Sequence, residues 1–435
     1  MILKFQKTPL LYNKKQLKNV NSFMKNIILF DDDKWDKLLP LTYTRPIGGL
    51  RIGIDTIAEK WARLMNAKVS YITRDFLSQK YPIHIAKGEN LLLAGHLLPT
   101  PQLIMMIENL NINQALLYNE SLIAAKIDDG DIDKIKNNEE LFSIKGIDLS
   151  NSKEIVNCIN SVTDIFTKND TLLREDFLSL THNRVSLPLS ATNTLIGDPK
   201  NLFIEEGAVI EAAVINCATG PVYIGKDVTI MEGSMIRGPF SALDKSTVKM
   251  GAKVYGATSL GPGCVIGGEV NNVVIQGYSN KSHEGYLGNA VVGEWCNIGA
   301  DTNASNLKNN YEEVKIWSYS TEKFEKTGLM KVGLIMGDHS KTGINTMFNT
   351  GTTVGVHCNI FGDGYPRVFI PSFSSGGASG YTTNLLPKAL GTAESAMRMR
   401  GLTLSQEDKD IFHAVFEYSA RYRSWDKTKK GSKES

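Results

Sequence analysis

Residues 222–267 read VYIGKDVTIMEGSMIRGPFSALDKSTVKMGAKVYGATSLGPGCVIG. Ile224, Ile230, Ile236, Ala242, Val248, Val254, Leu260 and Ile266 stand at eight successive positions six apart, seven of them aliphatic and the eighth alanine. A six-residue step suits neither an α-helix nor an alternating strand. It suits the coils of a parallel β-helix, where one aliphatic residue per flat face points inward and stacks on its equivalents above and below. Glycine follows several of these positions, as in Ile224-Gly225 and Ile266-Gly267, where a corner asks for a backbone that other residues adopt reluctantly. Each coil buries its interior only against its neighbours, so stacking supplies the stability.

The period continues in a second register at Val292, Ile298 and Ala304, with Ile298-Gly299 again at a corner, and in a third at Phe348, Val354 and Ile360. Between about Asn306 and Gly328 it breaks into NLKNNYEEVKIWSYSTEKFEKTG, a polar and aromatic insertion that reads as a loop thrown out of one coil. Beyond Leu386-Pro387 the period ends. Thr403 to Arg421 reads as a helix with Ser405 as N-cap and Glu407 and Asp408 in its first turn, followed by a solvated tail.

Upstream the pattern is different. Ile27 to Phe30, Lys68 to Ile72 and Asn90 to Ala94 are strand candidates, and Thr56 to Met65 and Gln102 to Glu108 are amphipathic helices. This alternation predicts βαβ units and a largely parallel sheet. Residues 166–190 read as a connecting helix or linker. The expected division is an N-terminal extension over 1–23, an α/β domain over 24–190, a β-helix over 191–386 and a C-terminal helix and tail over 387–435. Met24 is a candidate true start, which leaves the lysine-rich residues before it as a disordered or over-annotated extension.

Composition narrows the function classes. A net charge of +2 on 435 residues gives no field for nucleic acid or an anionic membrane. No apolar run approaches the ~18 residues of a membrane span. The five cysteines, Cys158, Cys217, Cys264, Cys296 and Cys358, are odd in number, widely spaced and without CxxC pairs. They read as buried thiols of a reducing, cytoplasmic compartment.

One stretch in the coils carries chemistry. Asn280-Lys281-Ser282-His283-Glu284-Gly285-Tyr286-Leu287-Gly288-Asn289 is followed by Asn297-Ile298-Gly299-Ala300, then by Ala304-Ser305-Asn306-Leu307-Lys308 and by Lys341-Thr342-Gly343-Ile344. This resembles the acetyltransferase half of the GlmU-type bifunctional sugar-1-phosphate nucleotidylyltransferase/acetyltransferases, with the later segments closest to the archaeal two-activity enzymes. The resemblance covers about residues 195–365. It implies a left-handed parallel β-helix of hexapeptide repeats, acetyl-CoA as acyl donor lying along the coils C-terminal to the site, and a homotrimer with the acyl site between neighbours. It makes His283 the general base, an imidazole being suited to take an amine proton near neutrality. Asn306 orients the amine or the base, Tyr286 and Asn297 hold the sugar phosphate, and the Ala300 N–H faces the thioester oxyanion. Where the relatives carry a lysine after the glutamate matching Glu269, this chain has Val270-Asn271-Asn272, so Lys281 and Lys308 are the candidate replacement cations. The serine of the bacterial enzymes falls on Asp338. The plainer readings make His339 and His357 corner residues, and Asn297 and Asn306 turn-formers or members of a stacked asparagine ladder.

The segment Lys37-Leu38-Leu39-Pro40-Leu41-Thr42-Tyr43-Thr44-Arg45-Pro46 resembles the signature of sugar-phosphate nucleotidylyltransferases, which implies a Rossmann-like α/β domain acting on a nucleoside triphosphate and a sugar phosphate. The preceding loop, Asp31-Asp32-Asp33-Lys34-Trp35-Asp36, has no glycine. Lys37 stands at the expected arginine, Ile47 at the expected lysine, and His96 at the aspartate that binds metal. A site rebuilt here would use Lys37, Arg45 and Arg51 for phosphates, and Asp31 and Asp32 for Mg2+. The plain alternative for Asp31 to Asp33 is a solvated loop. The favoured reading is a two-activity enzyme of UDP-N-acetylglucosamine-type nucleotide-sugar synthesis. The alternatives are an acyltransferase whose N-domain has lost its reaction, and a non-catalytic scaffold or regulatory paralogue.

Overall fold

A computed structural model describes residues 6–8, 24–136, 144–152 and 155–426. The proposed initiator Met24 begins the second of these stretches; most of the extension before it, and the charged tail from 427, lie outside the described residues. Contacts divide the chain into two units, one holding residues 45–49, 56–160 and the chain up to 35, the other holding 36–44, 50–55 and everything from 161. The boundary therefore falls at 160, and two short segments of the N-terminal half belong with the C-terminal unit.

The first unit is built on a seven-stranded sheet in the order Gln6–Thr8, Lys145–Asp148, Gln114–Tyr118, Ser121–Asp128, Glu89–Ala94, Lys25–Phe30, Ala67–Ile72. Ser121–Asp128 runs antiparallel to both neighbours, and every other pairing is parallel. Gln6–Thr8 pairs with Lys145–Asp148, so this part of the extension is an edge strand and not a structureless lead-in. Ile27 to Leu29 and Leu91 to Ala94 are buried in continuous runs, as strands covered on both faces require. The helix Ile57–Met65 begins with a capping box between Thr56 and Glu59, and its Trp61 Nε1 donates to the Leu97 carbonyl at 2.9 Å.

The second unit is the β-helix that the hexad predicts. Ile224, Ala242, Leu260, Ile275, Val292, Met336, Val354 and Ile370 pair in one continuous parallel column. Ile215, Ile236, Val254, Val270, Leu287, Ala304 and Phe348 form a second. The third runs Ile210, Ile230, Val248, Ile266 and then Lys281. Successive hexad residues thus fall on successive faces, and a single core links coils from Leu202 to Ile370. At roughly 1.5–3 kcal/mol per buried aliphatic side chain, these columns dominate the stability of the unit.

The three corners repeat one device, a residue in the left-handed region. The first corner uses Asp227, Lys245, Gly263, Tyr278, Trp295, His339, His357 and Phe373; the second uses Gly233, Gly251, Gly268, Gly285, Asp301 and Asn345; the third includes Gly256, Asn272 and Asn289. At the first corner the rings of Tyr278, Trp295, His339, His357 and Phe373 stack in sequence, with centroids 4.4 to 6.1 Å apart. Phe412 and Phe416 of the helix Gln406–Ser419 meet this stack edge-on, Phe412 at 4.4 Å from His357. Ser405 caps that helix as its sequence predicts. His339 and His357 are the corner residues they resemble.

One face is covered. Asn169 and Asp176 of the helix Asn169–Thr181 accept from the Gly53 and Ile54 amides at 2.7 and 2.8 Å, while Asn169 donates to the Ala257 carbonyl. Segment 50–55 is also bonded to a coil, because the Arg51 N–H donates to Gln276 Oε1 at 2.6 Å. Segment 36–44 ends at Thr44, whose hydroxyl donates to Asp338 Oδ2 at 2.6 Å, and Tyr43 packs fully buried against Tyr319 and Tyr418. The insertion after Ala304 contains the antiparallel hairpin Lys315–Ser318/Lys323–Lys326, held by Trp317 stacked 4.2 Å from Phe369. All five cysteines are buried free thiols.

Candidate active site

His283 lies on the turn 282–285 at the second corner and is exposed; among the described residues its imidazole makes no hydrogen bond. The turn sits on backbone without side chains. A Cβ on Gly267 would come 2.5 Å from the Ser282 carbonyl, and one on Gly268 would come 2.9 Å from the His283 carbonyl. Ala300 occupies the same corner one coil later, and the Asp301 N–H joins the two turns by donating to the Glu284 carbonyl at 3.0 Å. The Ala300 carbonyl accepts from Asn345 at 2.8 Å, while its N–H has no backbone acceptor among the described residues.

Tyr286, Asn289 and Asn306 form a bonded group. Asn306 Nδ2 donates to the Tyr286 hydroxyl at 2.9 Å and to Asn289 Oδ1 at 2.6 Å. With its amide oxygen facing Asn289, Asn272 accepts from Asn289 Nδ2 at 3.0 Å and donates to the Ala257 and Phe166 carbonyls. Asn272, Asn289 and Asn306 are therefore an asparagine ladder, one per coil, at the third corner. Partial burial raises the Tyr286 phenol above its ordinary value, so it remains a protonated donor near neutrality. Gly288 lies beneath this group, where a Cβ would come 2.2 Å from the phenol oxygen.

Asn297 is exposed on another face, bridged to Asn280 and Lys341 in neighbouring coils, and Arg400 reaches Asn280 at 2.8 Å. Lys308 donates to the Glu313 carbonyl at 2.9 Å within the insertion. Lys281 is 1% exposed, and its ammonium donates to the Gly267 and His283 carbonyls at 3.2 and 2.9 Å. Asp338 is spent on Thr44 and on the Glu294 amide. Asn289 was not among the residues singled out from sequence. Its signal is the spacing of Asn272, Asn289 and Asn306, each 17 residues after the last, which is one coil.

In the N-terminal segments, Asp31 accepts from the Ile47 amide at 2.9 Å and from the Thr73 hydroxyl at 2.6 Å, and burial pushes its carboxyl up to about 6. Asp32 accepts from the Lys34 amide and pairs with His96 Nδ1 at 3.3 Å. Burial alone would lower the His96 imidazole, but Asp32 and Cys158 hold it up at about 9. Arg45 is buried, and so is Arg51, whose guanidinium donates to the Ile54 and Gln276 carbonyls. Lys37 is exposed at the end of the helix Lys34–Lys37.

Residues 27–185 match the family model for sugar nucleotidyl transferases. Over this region the chain is similar to the sugar nucleotidyl transferases. The chain is also 32% identical over 121 residues to the bifunctional protein GlmU of Methanocaldococcus jannaschii, covering 28% of this chain and 27% of that one. It is 33% identical over 153 residues to a bifunctional sugar-1-phosphate nucleotidylyltransferase/acetyltransferase of Sulfurisphaera tokodaii, covering 33% and 35%. The chain thus spans well under half the length of these relatives. Among solved structures it is similar to the UDP-N-acetylglucosamine acyltransferase of Arabidopsis, with a TM-score of 0.30 and 12% identity over 50% of this chain and 78% of that one. Within the matched residues 27–185 the two candidate magnesium ligands are already engaged with protein partners. Both Asp31 oxygens accept from protein donors, and Asp32 accepts from the Lys34 amide and faces His96.

Proposed function

We propose that this chain is a cytoplasmic sugar-phosphate nucleotidylyltransferase joined to an acetyl-CoA-dependent N-acetyltransferase acting on an amino-sugar phosphate, working as a homotrimer. The observation that supports the acyl-transfer half best is the exposed His283 imidazole on a turn one coil from the Ala300 N–H, with Tyr286 three residues further on and bonded to Asn306. The sugar amine attacks the thioester carbonyl; its nitrogen bonds to the acyl carbon and the carbon–sulfur bond breaks. His283 takes the amine proton and returns it to the departing thiol. The Ala300 N–H donates to the oxyanion that forms between these events. Tyr286 and Asn306 orient the sugar, and Asn297 is the further candidate contact. For the nucleotidyl half, the match of residues 27–185 is the support, with Lys37 as the exposed candidate for phosphate.

A second reading is favoured by Asp31, Asp32, Arg45 and Arg51, all engaged inside the protein: acyl transfer with an N-domain that only recognises the substrate. Purified protein given acetyl-CoA, nucleoside triphosphates and a panel of sugar phosphates, followed by mass spectrometry, tests both. Acetylated sugar phosphate together with pyrophosphate supports two activities, and acetylation without pyrophosphate supports one. His283→Ala is expected to lower acetylation by about 10²–10⁴-fold. Undiminished acetylation in that variant removes the base.

A further inference from the structure

We propose that Lys281 is a positioning residue that fixes the turn carrying His283 from inside the coil. This rests on the reading of His283 as the base. Lys281 follows Ile230, Val248 and Ile266 in an interior column, at a place where an aliphatic side chain would ordinarily stack. Its ammonium meets two carbonyl oxygens, those of Gly267 and His283, which point into the prism. A carbonyl buried without a donor costs free energy of the order of a lost hydrogen bond, about 1–3 kcal/mol. The three column residues before it, Ile230, Val248 and Ile266, offer only aliphatic chains, and the Lys281 ammonium supplies the donors that both oxygens accept from.

The outer side of the turn is equally constrained. Gly267 and Gly268 admit no Cβ beneath it, and Gly285 closes it at φ 112°. Lys281 therefore acts where the turn meets the interior, two residues from the imidazole it orients. Burial pushes the ammonium down to about 8, against the nearby Glu284 carboxylate, which itself pairs with Lys253 at 3.5 Å. Burying an amine is unfavourable by itself, and its hydrogen bonds to the two carbonyls are what offset that cost. The retained amine marks a requirement of the turn, and both of its protonation states can donate to the two carbonyls.

The test compares the full chain with Lys281→Met and Lys281→Gln, the second keeping a donor without the charge. Diethyl pyrocarbonate modification of His283 is followed by mass spectrometry, with the exposed His182 and His413 as internal controls. In Lys281→Met the His283 rate is expected to change at least about five-fold with the controls unmoved, and Lys281→Gln to recover part of the difference. Acetyl transfer should fall by about 10–100-fold in kcat, with KM for acetyl-CoA unchanged. An unchanged His283 rate overturns the proposal, as does a rise in KM for the sugar phosphate at constant kcat, which would make Lys281 a phosphate ligand. If Lys281→Met fails to unfold cooperatively, Lys281→Gln decides by the same readouts. A changed His283 rate alongside undiminished turnover in His283→Ala would keep the positioning role and remove the base.

Discussion

Two corners of the same prism make the same demand on the backbone and answer it in opposite ways. At the first, left-handed positions carry Trp295, His339, His357 and Phe373, each at most 8% exposed and stacked coil upon coil. At the second, they carry Gly268, Gly285, Asp301 and Asn345, and the adjoining turns leave His283 and Ile344 in solvent. A helix lying over the first corner separates the two cases, since Phe412 and Phe416 close it. Backbone geometry fixes where a coil turns. What covers the turn decides whether it becomes core or stays open to solvent.

Uncovering the closed corner should have the largest effect. Phe412→Ala is expected to lower unfolding free energy by about 3–5 kcal/mol, read from urea denaturation, because it leaves a cavity against His339 and His357. A loss below 1 kcal/mol would mean that the helix does not hold the stack. Next comes Gly268→Ala at the open corner, where φ is 67° and the new Cβ would meet three atoms of the His283 turn at 2.9 Å. It should cost about 1–3 kcal/mol and abolish acetyl transfer. Gly251→Ala, at φ 71° with nothing within 4 Å, should keep the activity, and equal damage from both would refute the role of the turn.

The closed corner also carries a pH signature. Burial, helped by His339 and Lys341 and opposed by Asp338, holds the His357 imidazole well below its ordinary 6.5, so the unfolded chain binds this proton first as pH falls. Stability from this residue is complete above about pH 6.5 and declines below it, by up to about 1.4 kcal/mol per unit. Thermal melts between pH 7.5 and 5 should show this acid slope, and His357→Phe should flatten it. An unaltered slope in that variant places the titration elsewhere. The smallest effect is reserved for Ile344→Ser on the open corner, where an exposed side chain should change stability by no more than about 0.5 kcal/mol.

The hexad from Ile224 to Ile266 was legible because every coil there closes in 18 residues and the interior residue is nearly always aliphatic. The coil from Ile266 to Lys281 closes in 15, with two residues at the corner Gly267-Gly268, so counting by six passes over Val270 and leaves Lys281 looking like a surface cation. The stacked rings could not be assembled from sequence, since the long insertion after Ala304 separates Trp295 from His339 and their cover comes from residues past 400. Asp338 was aligned with a serine of the relatives, but its partner Thr44 lies almost three hundred residues away. His283 and Ala300 were singled out through the motif, and the structure places both on turns of the second corner, one coil apart. The signature Pro40-Leu41-Thr42 located the N-terminal domain, yet nothing in its residue types tells a buried Arg51 from a phosphate ligand.

The chain crosses between its two units after residues 35, 44, 49, 55 and 160. No single cut yields two complete halves. Cleavage at any one point leaves Tyr43 and Thr44, or the strands that precede them, attached to the wrong fragment. Isolating either unit for study will therefore require point substitutions within the full chain, not truncation.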